Sequence, residues 1–252
     1  MKDFEGLRAL VTGGGRGIGA AIAASLTRGG ARVVVMGRNE SDLAARVAGG
    51  EAAAYAVADL ADPAAFEKAL AAIVAKEPID ILVNNAGMAM SAPFLKTGNG
   101  DFEMLFRVNV LGAVIGTRAV LPGMMARKFG RIVNIASTAA LKGYPYTSAY
   151  VTSKHALLGF TRSLAQEQAK TGVTVNAVCP GFTDTDMVDQ AVNRIVAKTG
   201  RDAGAARAEI VKTSPMGRLI APAEVADAVC FLARRESGGI TGTAITVAGG
   251  EA

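Results

Sequence analysis

The sequence predicts an α/β fold: one domain spanning residues 1–252, with a doubly wound parallel sheet of about seven strands and helices on both faces. Three observations carry this. Strand-like and helix-like segments alternate from end to end. The strand-like segments are near-continuous runs of Val, Ile, Leu and Ala, as expected of strands buried on both faces. The first of them runs into a glycine cluster that opens a helix, the usual place for a ligand-binding turn in such sheets.

Each element has its own signal. Residues 7–12 are short and apolar, and 18–28 form an alanine-rich helical stretch. Residues 31–36 are Val-rich and strand-like. A short helix follows over 41–47, with Ser41 as a plausible N-cap. A third strand covers 53–57, and a third helix covers 63–76, signalled by Asp62 before Pro63. Residues 79–83 read as the fourth strand. A long helix over 102–127 carries Pro122, which predicts a kink or an early end there. The fifth strand (131–136), a second long helix (149–171), the sixth strand (173–178), a last helix (223–234) and a last strand (244–247) complete the alternation. The polar stretch 184–214 breaks the rhythm and reads as a lid or a disordered surface segment.

Composition narrows the function. Of 252 residues, 50% are hydrophobic and 19% charged, which excludes a disordered chain. The thirty glycines have no Gly-x-y period, which excludes collagen. No uninterrupted apolar run reaches the roughly 18 residues of a membrane span. Residues 1–6 show no apolar signal core, so a cytoplasmic location is expected. Cys179 and Cys230 have neither metal-ligand nor CxxC spacing and read as reduced core thiols. The single histidine, His155, makes a Ser-His-Asp triad or a His-ligated metal hard to build, and no metal site is expected. The net charge of +5 suits nucleic acid or an anionic cofactor equally, but no nucleic-acid motif accompanies it. Arg127, Lys128 and Arg131 read as a solvated rim.

The glycine cluster Thr12-Gly13-Gly14-Gly15-Arg16-Gly17-Ile18-Gly19 sits between strand and helix. It is either a tight turn or a cradle where backbone and helix N-terminus meet a pyrophosphate. The second strand ends Val35-Met36-Gly37-Arg38-Asn39. A carboxylate at that tip would bind the ribose 2′-hydroxyl of NAD, whereas arginine suits the 2′-phosphate of NADP. Arg38 and Arg16 therefore favour NADP(H) over NAD(H), the alternative for Arg38 being a solvated loop charge. Tyr150 and Lys154 share one helix face, one turn apart. An ammonium near a phenol favours the phenolate, so the pair can exchange protons. Ser137 directly follows the fifth strand, at the carboxyl edge. Asn109 lies mid-helix among apolar residues; it opens the helix, holds a water, or is a satisfied structural amide.

Together these residues resemble the short-chain dehydrogenases/reductases, in their branch of about 250 residues with a Rossmann-type sheet. The pieces stand in family order: Thr12-Gly13-x-x-x-Gly17-Ile18-Gly19, Asp59, Asn84-Asn85-Ala86-Gly87, Asn109, Ser137, Tyr150-x-x-x-Lys154 and Pro180-Gly181. The resemblance implies Tyr150 as acid/base and Lys154 as ribose ligand lowering its pKa. It implies Ser137 as the group polarising the substrate oxygen, and Asn109 as holder of a water in a proton relay. For the cofactor it implies Gly13, Gly15, Arg16, Gly17, Ile18, Gly19 and Arg38, then Asp59 and Leu60 at the adenine, and Asn85, Ala86 and Gly87 at backbone and ribose. Pro180, Gly181, Thr183 and Thr185 match the stretch against the nicotinamide. The segment 184–214 matches a substrate loop. His155 follows Lys154 by about 100° of helix and reads as packing or interface. Within the family the chain is most similar to 3-oxoacyl-thioester reductases and polyketide ketoreductases. Reductases or dehydrogenases of small cyclic, aromatic or sugar-like alcohols are the alternative, and a non-catalytic cofactor sensor or scaffold the remote one. The expected assembly is a homotetramer or a dimer.

Overall fold

Seven parallel strands lie in the order β3-β2-β1-β4-β5-β6-β7 in the computed structural model, which describes residues 3–251 apart from the Lys198 side chain. Met1 and Lys2, part of the start read for a signal core, lie outside the described residues. The strands are β1 (Arg8–Thr12), β2 (Arg32–Gly37), β3 (Ala54–Val57), β4 (Ile81–Asn84), β5 (Gly130–Ile135), β6 (Val173–Pro180) and β7 (Ala244–Val247). The winding reverses between β1 and β4, so a crevice opens beyond their carboxyl ends. Every residue of β5 and β6 is buried, whereas the edge strand β3 is largely exposed. This is why the inner strands lack polar alternation.

Helices α1 (Gly17–Arg28) and α9 (Pro222–Ala233) cover one face, packing Ile22, Leu26, Val225 and Val229 on Val11, Val33 and Val133. The other face takes α3 (Pro63–Lys76), α5 (Gly112–Ala126) and α6 (Ser148–Gln168), with Phe66, Leu70, Ile115 and Met124 against Leu10, Leu82 and Ile132. A short α4 (Asn99–Phe106) precedes α5, and α2 (Glu40–Ala48) precedes β3. The stretch 184–214 forms α7 (Asp186–Thr199) and α8 (Ala203–Val211), two ordered helices rather than a structureless segment.

Four local expectations need correction. The N-cap of α2 is Asn39, not Ser41: its extended backbone starts the helix earlier, and its side chain accepts the Ser41 N–H at 3.1 Å. Pro122 does not end its helix; α5 runs through it to Ala126, because a proline forfeits only one backbone bond and packing on α3, β4 and β5 holds the rest. The irregularity lies earlier, at a π-turn over Arg107–Leu111 centred on Asn109. Arg131 is not on a solvated rim. It is 3% exposed, its guanidinium donates to the carbonyls of Gly130, Gly172, Arg234 and Arg235, and it stacks on Phe129 at 4.5 Å. His155 is exposed rather than packed within the chain, its ring bonded to the Val151 carbonyl at 3.0 Å.

Among the described residues, the helix long and apolar enough to cross a membrane by composition is Asn99–Ala126, and half of its most apolar window is buried inside the fold. It packs on α3, α6 and the sheet as a core helix.

Candidate active site

The crevice is built by loops leaving β1, β4, β5 and β6. At β1, Gly13 has φ +65°, and a Cβ there would stand 2.8 Å from Asn85 Nδ2; a Cβ on Gly19 would lie 2.1 Å from the Gly13 carbonyl oxygen. Only glycine fits at either position. The turn is tied to the β4 loop by buried Thr12, whose hydroxyl accepts the N–H groups of Asn85 and Ala86 at 3.1 Å each. Asn85 Nδ2 returns bonds to the carbonyls of Thr12 and Gly13. Thr12 thus does structural work that its place in the glycine motif did not disclose.

At the β5 exit, Ser137 Oγ accepts the Ala139 N–H at 3.1 Å, and it stands close enough to the Tyr150 hydroxyl to act on its acidity. Tyr150 and Lys154 leave the first turns of α6, with Lys154 Nζ 5.9 Å from the Tyr150 ring centre. Burial pushes the Tyr150 hydroxyl above the ordinary tyrosine value, while Ser137 opposes this. Burial also pulls Lys154 down to about 8. Lys154 Nζ donates to the Ile135 carbonyl at 2.9 Å. In this arrangement the tyrosine is held as a phenol, a proton donor.

Asn109 is 2% exposed and satisfied. Its Oδ1 accepts the Met88 N–H at 2.9 Å, and its Nδ2 donates to the Met88 carbonyl and to Ser153 Oγ. Ser153 in turn donates to the Tyr150 carbonyl. The amide therefore locks the β4 loop to α6. A Cβ on Gly87 would stand 3.1 Å from Asn109 Oδ1 and 3.5 Å from Lys154 Nζ, so that glycine lets the three approach. Beneath them, Asn84 Nδ2 donates to Asn134 Oδ1 at 2.8 Å and Asn134 Nδ2 to Thr161 Oγ1, a buried amide chain from β4 through β5 to α6. Ser153, Asn134 and Thr161 were not singled out from sequence; only Ser153, three residues after Tyr150, carried a spacing signal.

The cofactor candidates converge on the same crevice. The first turn of α1 holds no acidic residue and no side-chain cap, so its N–H groups suit phosphate oxygens. Ile18 packs partly on the core beneath the turn, and Gly15 backs onto Asp42. The methyl of Thr185 lies 3.2 Å from a Cβ built on Gly17, closing the turn from the lid side. Thr183 is buried and donates to the Gly181 carbonyl, after Pro180 at the end of β6. Leu60 turns its side chain into the core against Gly112, so any adenine contact from it runs through its backbone. The arginines already have partners: Arg38 stands 3.9 Å from Asp59, and Arg16 bonds Asp186 of α7 at 2.9 Å.

The comparisons agree with this geometry. Residues 8–195 match the family described as short chain dehydrogenase. The chain is 38% identical over 255 aligned positions to Oxidoreductase UcpA of Escherichia coli (strain K12), spanning 99% of this chain and 96% of that one. It is 38% identical over 244 positions to the acetoacetyl-CoA reductase of Shinella zoogloeoides, spanning 96% and 97%. Among solved structures, a variant of the actinorhodin polyketide ketoreductase with NADPH superposes with a TM-score of 0.91 at 36% identity, covering 100% of this chain and 98% of that one. With the glycine turn, the Ser137–Tyr150–Lys154 cluster and relatives matched along nearly its whole length, the chain belongs to the short-chain dehydrogenases and is an oxidoreductase.

Proposed function

We propose that this oxidoreductase reduces the keto group of a 3-oxoacyl thioester with NADPH. The observation that carries the reaction type is the half-buried, protonated Tyr150 with Ser137 acting on its hydroxyl and Lys154 Nζ 5.9 Å from its ring. When bound, the nicotinamide supplies the hydride. Tyr150 gives its proton to the carbonyl oxygen as that oxygen gains charge, and Ser137 donates a hydrogen bond to the same oxygen. Lys154 holds the ribose and restores the Tyr150 proton. Asn109 keeps the π-turn open, the place for a relay water, while its side chain fixes the β4 loop. Pro180, Gly181, Thr183 and Thr185 line the nicotinamide side, and the lid 184–214 closes on substrate.

Arg16 and Arg38 support NADP over NAD, since no carboxylate ends β2. A dianionic 2′-phosphate competes with Asp186 for Arg16 and with Asp59 for Arg38. The thioester reading rests on relatives named for acetoacetyl-CoA and polyketide reduction. We also infer a homotetramer or dimer, supported by the exposed apolar residues Met104, Phe106 and Leu111 around α4 and its exit. A cytoplasmic location is supported by two free cysteines.

A spectrophotometric screen tests the reading. Oxidation of NADPH and NADH would be followed with acetoacetyl thioesters, cyclic ketones and aryl ketones. Preference for NADPH and for thioesters is expected. Preference for NADH overturns the role of Arg38, and activity on free ketones alone overturns the thioester.

A further inference from the structure

At the β6 exit, against Gly181, lies a buried carboxylate that this reaction does not use. Glu251 follows β7, and its side chain is 5% exposed. It accepts the Tyr144 hydroxyl, and Lys142 Nζ stands 3.7 Å from its Oε1 and donates to its backbone oxygen. Its Oε2 is 2.8 Å from a Cβ built on Gly181, against the β6 exit. The two residues before it touch the opposite wall: a Cβ on Gly249 would sit 2.7 Å from Met216 Cγ, and one on Gly250 3.5 Å from Pro215 Cβ. The segment after β7 thus spans the crevice mouth, from the end of the lid to the loop that carries Ser137.

Proton accounting gives this arrangement a direction. A phenol has one proton, and Tyr144 commits it to the carboxylate. The Thr138 hydroxyl, 2.6 Å away, then supplies its own proton to the Tyr144 oxygen. One lone pair remains. Burial, then the Glu251 bond, push Tyr144 above the ordinary tyrosine value, and its bond to Thr138, the residue after Ser137, sets its hydroxyl beside the loop that carries Ser137.

We propose that Glu251 is a positioning residue: by taking the Tyr144 proton it fixes Tyr144 as a hydrogen-bond acceptor near the reacting carbonyl, so that the site selects substrates bearing an N–H or O–H donor beyond that carbonyl. The proposal rests on the reductase reading and names its substrate class more closely. A thioester whose thiol arm carries an amide satisfies the acceptor; a plain alkyl thioester leaves it unpaired.

The test compares the N-acetylcysteamine and ethyl thioesters of acetoacetate, which differ in that amide, on the wild type, Tyr144→Phe and Glu251→Gln with NADPH. Tyr144→Phe is expected to raise KM for the amide-bearing thioester about three- to tenfold, with kcat little changed and the ethyl thioester unaffected. Glu251→Gln is expected to move the same KM in the same direction. An ultraviolet titration reads the bond itself: in Glu251→Gln one tyrosine ionises at lower pH than in the wild type. Superimposable titrations, or an unchanged KM ratio in Tyr144→Phe, overturn the proposal. Should neither thioester turn over, the reductase reading has failed on its own. The same selectivity is then read as calorimetric affinity for the two thioesters, and equal affinities in the wild type overturn the proposal.

Discussion

The floor of the site and its lid are held by opposite means. The floor is stitched by buried hydrogen bonds: Thr12 to Asn85 and Ala86, Asn109 to Met88 and Ser153, Asn84 to Asn134. The segment 184–214 has an apolar cluster of its own, Val188, Val192, Ala206 and Ile210, with Phe182, Ile195 and Leu219 packed on it. It is tied by exposed ion pairs, Arg207 to Asp184 and Asp189 and Arg16 to Asp186. Buried donors left unpaired are expensive, whereas exposed ion pairs are cheap and screened by salt. The ties of the floor are therefore costlier to break than the exposed ion pairs of 184–214.

The sharpest way to test this contrast is to remove one atom from the floor. Tyr150→Phe is expected to lower kcat by at least about a thousandfold, since it deletes the only proton donor the mechanism gives the substrate oxygen. NADPH binding, followed by fluorescence, should stay near the wild-type value, and ordinary turnover in this variant would sink the mechanism.

A second effect comes from desolvation of the floor. Lys154, drawn down to about 8, loses its charge above that pH. Reductive kcat/KM should then fall by up to about tenfold per pH unit, and Lys154→Arg should move the fall to higher pH. The sign for stability is opposite. The unfolded lysine, with its ordinary value of 10.5, still binds a proton in this window, so resistance to unfolding should rise with pH from about 8. A flat rate profile through pH 8–9 would contradict the assignment.

Thr12→Val strands two donors and should cost about 2 kcal/mol, lowering Tm by about 4–8 °C in a thermal melt. The lid gives the smallest response. Arg207→Ala should change stability by no more than about 1 kcal/mol and raise KM a few-fold, an effect that fades in high salt. A large Tm loss from Arg207→Ala, or none from Thr12→Val, would break the contrast.

The sequence disclosed whatever rests on short-range rules. Strand alternation, Asp62 before Pro63, the glycine turn and the Tyr150–Lys154 spacing follow from local patterns, and the structure has them side by side. What it concealed was set by distant partners. Arg131 looked like surface charge because its compensation comes from four carbonyls rather than a carboxylate, two of them more than a hundred residues away. Pro122 looked like a break because the packing that holds α5 is tertiary. Ser41 reads as the cap because Asn39, two residues earlier, carries the same chemistry. Glu251 had no local signal at all, since its meaning depends on Tyr144 and Lys142 folding back upon it.

The π-turn at Arg107–Leu111 is in effect one surplus residue carried inside a helix. Excising a single residue there would restore an unbroken hydrogen-bond ladder, yet rotate Asn109 by about 100° relative to the turns after it. The helix would gain regularity as its hold on Met88 and Ser153 was lost. A protein engineered for heat resistance by regularising this helix would become a sturdier and poorer enzyme, so here durability and competence are selected in opposite directions.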